Sequence, residues 1–240
     1  HLLDRDSVQK FIYGRGGKAT ANFLNEPVRY TSQNIKYEFN VEKANQILEA
    51  AGWKRGSDGI RAKDGKKLKF VFQTSINAPR QKTQAIIKQA CQRAGIDLEL
   101  KSITASVFFS SDVNNPETYS KFYADIQMYT TQALTPDPQG FMTQVVSWEC
   151  ASKENKWQGR NVARYRNAEA DSAFREAQKT LDPAKRTALF VRMNELPYND
   201  VIVLPLLSRT RVVAARQSRA RSRSLLGWMR LGSPGIFGYS

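Results

Sequence analysis

The sequence predicts an α/β protein with a mixed sheet, parallel βαβ units and flanking helices. Leu68, Phe70 and Phe72 alternate with polar residues, which is typical of a strand with one covered face. Pro79 then begins a helical pattern that ends at Gly95, and a second alternating run follows it. Because the order is strand, helix, strand, we expect two parallel strands joined by a right-handed crossover.

Two elements are expected before this unit. Asn40 can cap a helix whose apolar stripe runs through residues 41–51, and Gly52 suits the left-handed position after it. The turn dipeptide Asp64-Gly65 lies between two short runs and predicts a β-hairpin. The strand–helix–strand unit should therefore be preceded by a helix and a hairpin.

Further strands and helices are expected after the unit. Residues 123–132 predict a third strand, and two prolines exclude both helix and strand from the loop that follows it. Asn167 and Asp182 are expected to cap two helices. The apolar run at 201–207 predicts a fully buried strand, although its proline argues for an edge or a bulge, and residues 211–216 could pair beside it.

The scarcity of histidine and cysteine argues against several classes of enzyme. His1 is the only histidine, whereas Ser-His-Asp, Cys-His and multi-histidine metal sites need one at a protected interior position. Cys91 and Cys150 lack a ligand-like spacing, and Cys91 lies on an apolar stripe where core packing is favoured over a reactive thiol. An enzyme that uses aspartate or lysine is ranked last, and neither a cofactor nor a metal is expected.

The net charge of +15 is concentrated near the end of the sequence. Seven arginines and no acidic residue lie between Arg209 and Arg230, while the rest of the chain has 30 basic and 22 acidic residues. Such a segment could contact nucleic-acid phosphates or anionic lipid, but a solvated tail or a face that meets a missing partner is favoured. Only Trp228 could stack on a base there. A basic nucleic-acid-binding protein using this segment is therefore the alternative function, and nucleic acid is not the favoured partner.

Six segments, each weak alone, occur in a specific order. They are FNVEKANQILEAAGWK, DGIRAKDGKKLKFVFQTS, AIIKQACQRAGIDLEL, TPDP, GRNVARYRNAEADSAFREAQKTLDPAKRTALF and VIVLPLLSRTRVVA. In this order they resemble the C-terminal half of the family 5 extracellular solute-binding proteins, the peptide- and nickel-binding receptors of bacterial ABC importers. The resemblance runs from about Leu2 to Ala214.

The resemblance implies a lobe of the type II periplasmic-binding-protein fold. Residues 1–40 would come from the inter-lobe region, residues 41–200 would form the C-terminal ligand-binding lobe, and residues 201–240 would supply return strands and the basic segment. The implied function is the substrate-binding component of a bacterial ABC transporter, in the periplasm or on the outer face of the cytoplasmic membrane. The implied partners are a peptide or similar small solute, the membrane permease and a missing N-terminal lobe of the same protein. Ligand would be captured between two lobes and delivered without chemical change.

The loop after the third strand is the candidate binding site, because ligands of open α/β sheets usually bind where strands end. Thr130, Thr131, Gln132 and Ala133 are the best candidates for lining the cleft. Peptide-binding members of the family often read ADYPDP here, and its first aspartate can hold a peptide's ammonium group. Leu134 stands at that place. The departure indicates a different ligand, or a different way of holding the same one.

Three further residues are weaker candidates for ligand contact. Asp137 matches the later acidic position of that stretch, although a turn-forming role is favoured. Asn161 in GRNVARY matches an asparagine of the family's NYSGY-like stretch, where loop packing is equally expected. Arg209 follows the expected buried strand and could meet an acidic ligand, although solvated charge is at least as well supported.

Overall fold

The computed structural model describes residues 1–209. Residues 210–240, which include the candidate strand 211–216 and nearly all of the arginine-rich segment, lie outside the described residues. The chain divides into two compact units that interleave along the sequence. Unit 1 contains His1–Tyr13, Lys36–Thr130 and Cys150–Arg164, and unit 2 contains Gly14–Ile35, Thr131–Glu149 and the described residues from Tyr165 onward.

Both units combine short strands with helices. Within residues 1–209 the strands are β1 (Gly17–Ala19), β2 (Lys54–Arg55), β3 (Arg61–Lys63), β4 (Lys66–Lys67), β5 (Lys69–Ser75), β6 (Asp97–Ile103), β7 (Ile126–Met128) and β8 (Leu207–Arg209). The α-helices in the same range are α1 (Arg5–Val8), α2 (Val41–Ala50), α3 (Ala78–Arg93), α4 (Ala105–Phe108), α5 (Gln139–Met142), α6 (Ala168–Lys179) and α7 (Pro183–Asn199). Short 3-10 and π turns extend or join several of them.

A three-stranded parallel sheet forms the centre of unit 1. Its strand order is β6-β5-β7, so that β5 is central. Phe72 lies opposite Leu100 on one side and opposite Ile126 on the other. The predicted parallel βαβ unit is therefore confirmed, although β7 is shorter than the strand expected at 123–132.

Helix α3 begins and ends at the signals seen in the sequence. The Asn77 side chain accepts a hydrogen bond from the backbone N–H of Arg80, and Pro79 occupies the first turn. After the helix, Gly95 has φ +81°, a left-handed value that favours glycine. A Cβ atom at Gly95 would lie 2.7 Å from Cγ of Arg61, so space as well as backbone angle requires glycine there.

The inner face of α3 packs in the core of unit 1. Ile87 and Cys91 are buried, and the amide of Gln84 donates a 2.7 Å hydrogen bond to the carbonyl oxygen of Phe72 on the central strand. Burial raises the pKa of the Cys91 thiol to about 11, so the thiol stays protonated at neutral pH. The expected core position of Cys91 is confirmed, and Cys91 is not bonded to Cys150.

A small antiparallel sheet, in the order β2-β3-β4, follows α2 in the sequence of unit 1. Asp64 and Gly65 both have positive φ, as a type I′ turn requires, and they join β3 to β4 in the predicted hairpin. The Asn40 side chain caps α2 by accepting from the backbone N–H of Lys43 at 2.8 Å. Both predictions from turn and cap residues are confirmed.

Arg61 connects this small sheet to two helix ends. Its buried guanidinium donates to the carbonyl oxygens of Ala94 at 2.9 Å and Trp53 at 2.6 Å. It also donates to a Glu49 carboxylate oxygen at 2.5 Å and to the Asn45 side chain at 3.0 Å. One cation thus satisfies two carbonyl groups that lie just beyond helix ends and have no intrahelical partners.

Unit 2 is built around α6 and α7, which begin at the predicted caps Asn167 and Asp182. Its apolar core contains Phe141, Met142, Val145, Val146, Phe174, Phe190 and Met193. Asn194 is fully buried beside this core and holds the irregular segment around Leu24 by bonding to the backbone N–H and carbonyl of that residue. A buried amide with these partners fixes a segment that has no regular secondary structure of its own.

The predicted buried strand at 201–207 is wrong. Val201 is 66% exposed and has a left-handed backbone, and only the last residue of the run belongs to β8, which pairs with β1. The N–H groups of Ile202 and Val203 both donate to the carbonyl of Pro197 at the end of α7. These groups close the helix end, so they cannot form a ladder with a neighbouring strand.

The two compact units do not test the predicted domain boundaries at residues 40 and 200, which stay a prediction. Those boundaries describe how segments of a longer protein would be shared between lobes, which is a different property from compactness.

None of the helices formed by residues 1–209 is both long and apolar enough to cross a bilayer.

Replacing Arg61 by methionine should destabilise the chain by about 3 kcal/mol, because the buried carbonyl of Ala94 and the part-buried carbonyl of Trp53 would both lose a charged donor. Urea unfolding at neutral pH measures this. Lys54→Met is the matched control, since Lys54 pairs with the same Glu49 carboxylate at 2.7 Å but is 70% exposed. Its loss should cost less than about 1 kcal/mol. Equal losses for the two variants would contradict the role given to Arg61.

Candidate ligand-binding site

The strand order of the parallel sheet defines a switch point in unit 1. From β5 the chain crosses to β6 on one side, and it later returns to β7 on the other side of β5. In open parallel sheets ligands bind at the carboxyl ends of strands, where such a change of direction leaves a crevice. The candidate site is therefore the edge at which β5 ends with Ser75 and β7 ends with Met128.

Arg80 links the two strand ends at this edge. Its guanidinium donates to the Ser75 hydroxyl and, at 3.5 Å, to the Thr130 hydroxyl. The Thr74 hydroxyl donates to the carbonyl of Met128 at 2.6 Å and ties the same two strands together. A cation and three hydroxyl groups are thus gathered where the strands end.

Aromatic rings lie beside this polar group. The guanidinium carbon of Arg80 is 5.6 Å from the ring centroid of Phe109, and the rings of Phe109, Tyr119 and Tyr129 follow one another at centroid distances of 5.8 and 5.5 Å. Burial, with a smaller contribution from Tyr119, raises the pKa of Tyr129 to about 12. Tyr129 therefore remains a neutral phenol at physiological pH and adds no negative charge to the edge.

Amide groups complete the polar part of the edge. The side chains of Gln73 and Gln127 on neighbouring strands are 2.5 Å apart, and Gln127 donates to the carbonyl of Tyr119 at 3.0 Å. Neutral amides, hydroxyls, aromatic faces and one guanidinium suit non-covalent contact with carbonyl or carboxylate groups. Within residues 1–209, no group of three histidine, cysteine, aspartate or glutamate residues is placed to hold a metal ion.

The predicted site residues are divided between the two units. Thr130 and Asn161 belong to unit 1, whereas Thr131, Gln132, Ala133, Leu134, Asp137 and Arg209 belong to unit 2. Thr130 lies at the candidate edge. Gln132 and Leu134 are exposed, and Ala133 packs against the apolar core of unit 2. The role of the stretch 130–134 in lining a cleft stays a prediction.

Asp137 and Asn161 have structural partners. The Asp137 carboxylate accepts from both terminal nitrogens of Arg186, at 2.7 and 3.1 Å, and from the backbone N–H of Gln139. The hydrogen bond from Arg186 holds the pKa of Asp137 below its ordinary value. Asn161 is fully buried, and its carbonyl accepts from the backbone N–H of Ala151 at 3.1 Å. Arg209 is exposed at the end of β8. Ligand contact by Asp137, Asn161 and Arg209 stays a prediction.

Sequence reasoning missed Arg80, Ser75 and the aromatic rings of the edge. A usable signal was present, because Arg80 follows a predicted strand directly, in the first turn of the crossover helix. That position places a side chain at the carboxyl end of the sheet. The rings, in contrast, come from separate segments of the chain, and no spacing in the sequence relates them.

The amino-acid sequence matches a known family. The family described as "Bacterial extracellular solute-binding proteins, family 5 Middle" matches residues 1–153. The oligopeptide-binding protein AppA of Bacillus subtilis is 25% identical over 195 residues, which cover 75% of this chain and 32% of AppA. The oligopeptide-binding protein OppA of Mycobacterium bovis is 29% identical over 184 residues, covering 76% of this chain and 28% of OppA. The chain thus spans about a third of the length of these relatives.

Solved structures share the fold. An oligopeptide-binding protein from Thermus thermophilus, complexed with a pentapeptide, aligns with a TM-score of 0.74 and 24% identity over 87% of this chain and 36% of that protein. NikZ from Campylobacter jejuni, in complex with Ni(L-His), aligns with a TM-score of 0.70 and 20% identity over 87% of this chain and 40% of NikZ. These neighbours are type II periplasmic binding proteins, so the predicted fold class is confirmed.

Replacing Asp137 by asparagine should lower the free energy of unfolding at pH 7 by less than about 1 kcal/mol, because the carboxylate that pairs with Arg186 is 49% exposed and water screens the pair. A carboxylate whose folded pKa is lowered contributes stability above its unfolded pKa. That contribution disappears as the pH falls through the folded value. The difference between the two proteins should therefore vanish in acid, as urea unfolding across a pH series would show.

Glu176→Gln, at an exposed position of the same unit, is the control for the general loss of one negative charge. A ligand affinity that falls in Asp137→Asn, with unchanged stability, would instead support direct ligand contact by Asp137.

Proposed function

Since this chain belongs to the bacterial extracellular solute-binding proteins of family 5, we propose that it provides the C-terminal ligand-binding lobe of the substrate-binding component of an ABC transporter. The whole protein captures oligopeptides or similar solutes in a cleft between two lobes and delivers them to the membrane permease. The family match over residues 1–153 is the observation that carries this proposal. Family members are receptors, so the ligand is bound and released without chemical change.

The partners and location follow from the same membership. The family is extracellular, and we place this protein in the periplasm or on the outer face of the cytoplasmic membrane. Because the chain spans about a third of its relatives, an N-terminal lobe of the same protein is the proposed partner that completes the cleft. One lobe alone offers one face of the ligand site, and the binding energy that depends on closure is then lost.

Peptides are the favoured class of ligand. AppA and OppA are both named as oligopeptide-binding proteins, and the Thermus thermophilus neighbour was solved with a pentapeptide. Arg80, held between Ser75 and Thr130, supplies a guanidinium that can pair with a peptide carboxylate. Leu134 is apolar and 71% exposed where peptide-binding members often have an aspartate, so an ammonium group lacks that partner. These features support a neutral or acidic peptide.

The alternative of nucleic-acid binding gains no support from the comparisons. Of its arginine-rich segment, only Arg209 lies within the described residues. Its test is a filter-binding series in rising salt, in which a steep loss of DNA or RNA affinity would favour it.

Isothermal titration calorimetry on the protein with both lobes should show tighter binding of alanine- and glutamate-containing pentapeptides than of lysine-containing ones. We expect about a tenfold difference, the size of one charge-assisted contact. The 240-residue chain alone should bind the same peptides more weakly. A preference for lysine-rich peptides would contradict the proposed ligand class. An affinity of the single lobe equal to that of the protein with both lobes would contradict the two-lobe cleft.

Arg80→Met should weaken peptide binding by about tenfold or more in the same assay, because a carboxylate would lose its charged donor. Arg93→Met is the matched control, since Arg93 lies exposed at the opposite end of the same helix. Thermal unfolding of both variants separates lost binding from lost folding. Unchanged affinity in Arg80→Met would remove Arg80 from the site.

A further inference from the structure

A second group of side chains in unit 1 shares no residue with the candidate ligand site. Its centre is Trp157, which two cations approach. The Nζ atom of Lys121 lies 5.8 Å from the Trp157 ring centroid, and the guanidinium carbon of Arg164 lies 5.4 Å from it. The ring of Tyr123 meets the indole edge-to-face at a centroid distance of 5.8 Å. These four side chains are called the Trp157 cluster below.

The two cations of the cluster are held by neutral oxygens. Lys121 is only 5% exposed, and its ammonium donates to the carbonyl of Val113 at 2.6 Å. Arg164 donates to the carbonyls of Ala151 at 3.1 Å and Lys121 at 2.6 Å. Neither cation forms an ion pair with a carboxylate of residues 1–209. Lys121 is buried and Arg164 is half-buried, and a positive charge that is largely removed from water without a counter-charge is costly. An anion supplied from outside would therefore be stabilised there.

The backbone around the cluster is held in an uncommon conformation. Among residues 1–209, six residues other than glycine have positive φ, and four of these belong to the cluster or flank it: Phe122, Lys156, Trp157 and Arg164. A left-handed residue other than glycine is strained and persists only where the surrounding structure enforces it. Such residues concentrate at functional sites, and here they set the position of the indole and of one of its cations.

The outer part of the cluster is accessible and lies in a basic segment. Tyr123 is 65% exposed, and Trp157 is half-buried. Both rings combine an apolar body with a hydrogen-bond donor, the composition that recurs at the centre of protein interfaces. Residues 150–164 contain four basic residues and one acidic residue. The local charge is therefore complementary to an acidic surface.

We propose that the Trp157 cluster is a docking surface for an acidic segment of a second protein. A carboxylate of that segment contacts the donors of Tyr123 and Trp157, and its charge is balanced by Lys121 and Arg164. A protein partner is favoured over a free small anion because an exposed tyrosine, a tryptophan and an arginine together match an interface hot spot. This surface goes beyond the proposed capture of solute, because it meets the partner outside the sheet edge that holds Arg80.

The test follows the indole N–H resonance of Trp157 by ¹H–¹⁵N NMR in the 240-residue chain. The probe is a pentapeptide with two glutamates and blocked termini, and its counterpart carries glutamines in their place. Blocked ends remove the charged termini of a transported peptide. Trp157→Phe assigns the resonance by its disappearance. We expect the glutamate peptide to shift this resonance in a saturable manner and the glutamine peptide to leave it in place.

Two variants examine the cluster itself. Tyr123→Ala changes an exposed side chain and should weaken binding of the glutamate peptide about tenfold, and Lys121→Met should do at least the same. Because Lys121 is buried, thermal unfolding is needed to show whether Lys121→Met still folds. If Lys121→Met does not fold, the affinity of Tyr123→Ala alone tests the proposal.

Trp148 provides a matched control within the same chain. Its indole is 44% exposed, lies 4.9 Å from the guanidinium carbon of Arg175 and meets Phe174 edge-to-face, so it reproduces the ring–cation contact in unit 2. The Trp148 resonance should not move.

Equal shifts of the Trp157 resonance with both peptides, an equal shift of the Trp148 resonance, or unchanged affinity in Tyr123→Ala would overturn the proposal. Loss of the shift in Arg80→Met would show that the probe binds at the sheet edge instead, which also overturns it. Failure of peptide binding in calorimetry, with the Trp157 shift intact, would affect only the proposed transport function.

Discussion

The parallel pairing of β5 with a strand on each side is the constraint from which the candidate ligand site follows. Parallel neighbours cannot be joined by a tight turn, so the chain must leave the carboxyl end of β5, form α3 and return. That route places the first turn of α3, and with it Arg80, beside the ends of β5 and β7. The bond from Gln84 to the Phe72 carbonyl and that from Thr74 to the Met128 carbonyl hold helix and strands in this arrangement.

The cations that join segments of the fold differ from those of the proposed docking surface in whether a carboxylate balances their charge. Arg61, Arg186 and Arg192 each have a carboxylate partner, at distances of 2.5 to 2.7 Å. Each of these pairs joins separate segments of the chain, and each is electrically balanced. Lys121 and Arg164 use carbonyl oxygens instead, which satisfy their hydrogen bonds but leave their charge in place. Arg61 and Lys121, for example, are both buried and both donate to carbonyl oxygens, and the presence or absence of a nearby carboxylate distinguishes them.

The chemistry of the sheet edge suits a receptor. Amide and hydroxyl groups are paired across the strands, and Tyr129 stays a neutral phenol because burial raises its pKa to about 12. Such groups orient a ligand through hydrogen bonds, and they neither transfer protons readily at neutral pH nor attack a bound group. Family membership and the local chemistry of the edge therefore both support the proposed capture of a ligand without reaction.

The sequence by itself determined the local elements, because their signals act over a few residues, whereas the candidate sites were decided by the tertiary structure. Alternation over 68–72, the caps Asn40 and Asn167, and the left-handed Gly95 correctly predicted a strand and three helix ends. The same kind of signal failed at 201–207, because an apolar run is compatible with any buried or partly covered segment.

The order of six weak segments identified the family, but it did not indicate Arg80 or the Trp157 cluster. Arg80 meets Thr130 only because a strand that comes about fifty residues later in the chain pairs with β5, and Tyr123 likewise meets Trp157 from a distant segment. Contacts of this range depend on how whole elements pack, and no local propensity or spacing encodes them.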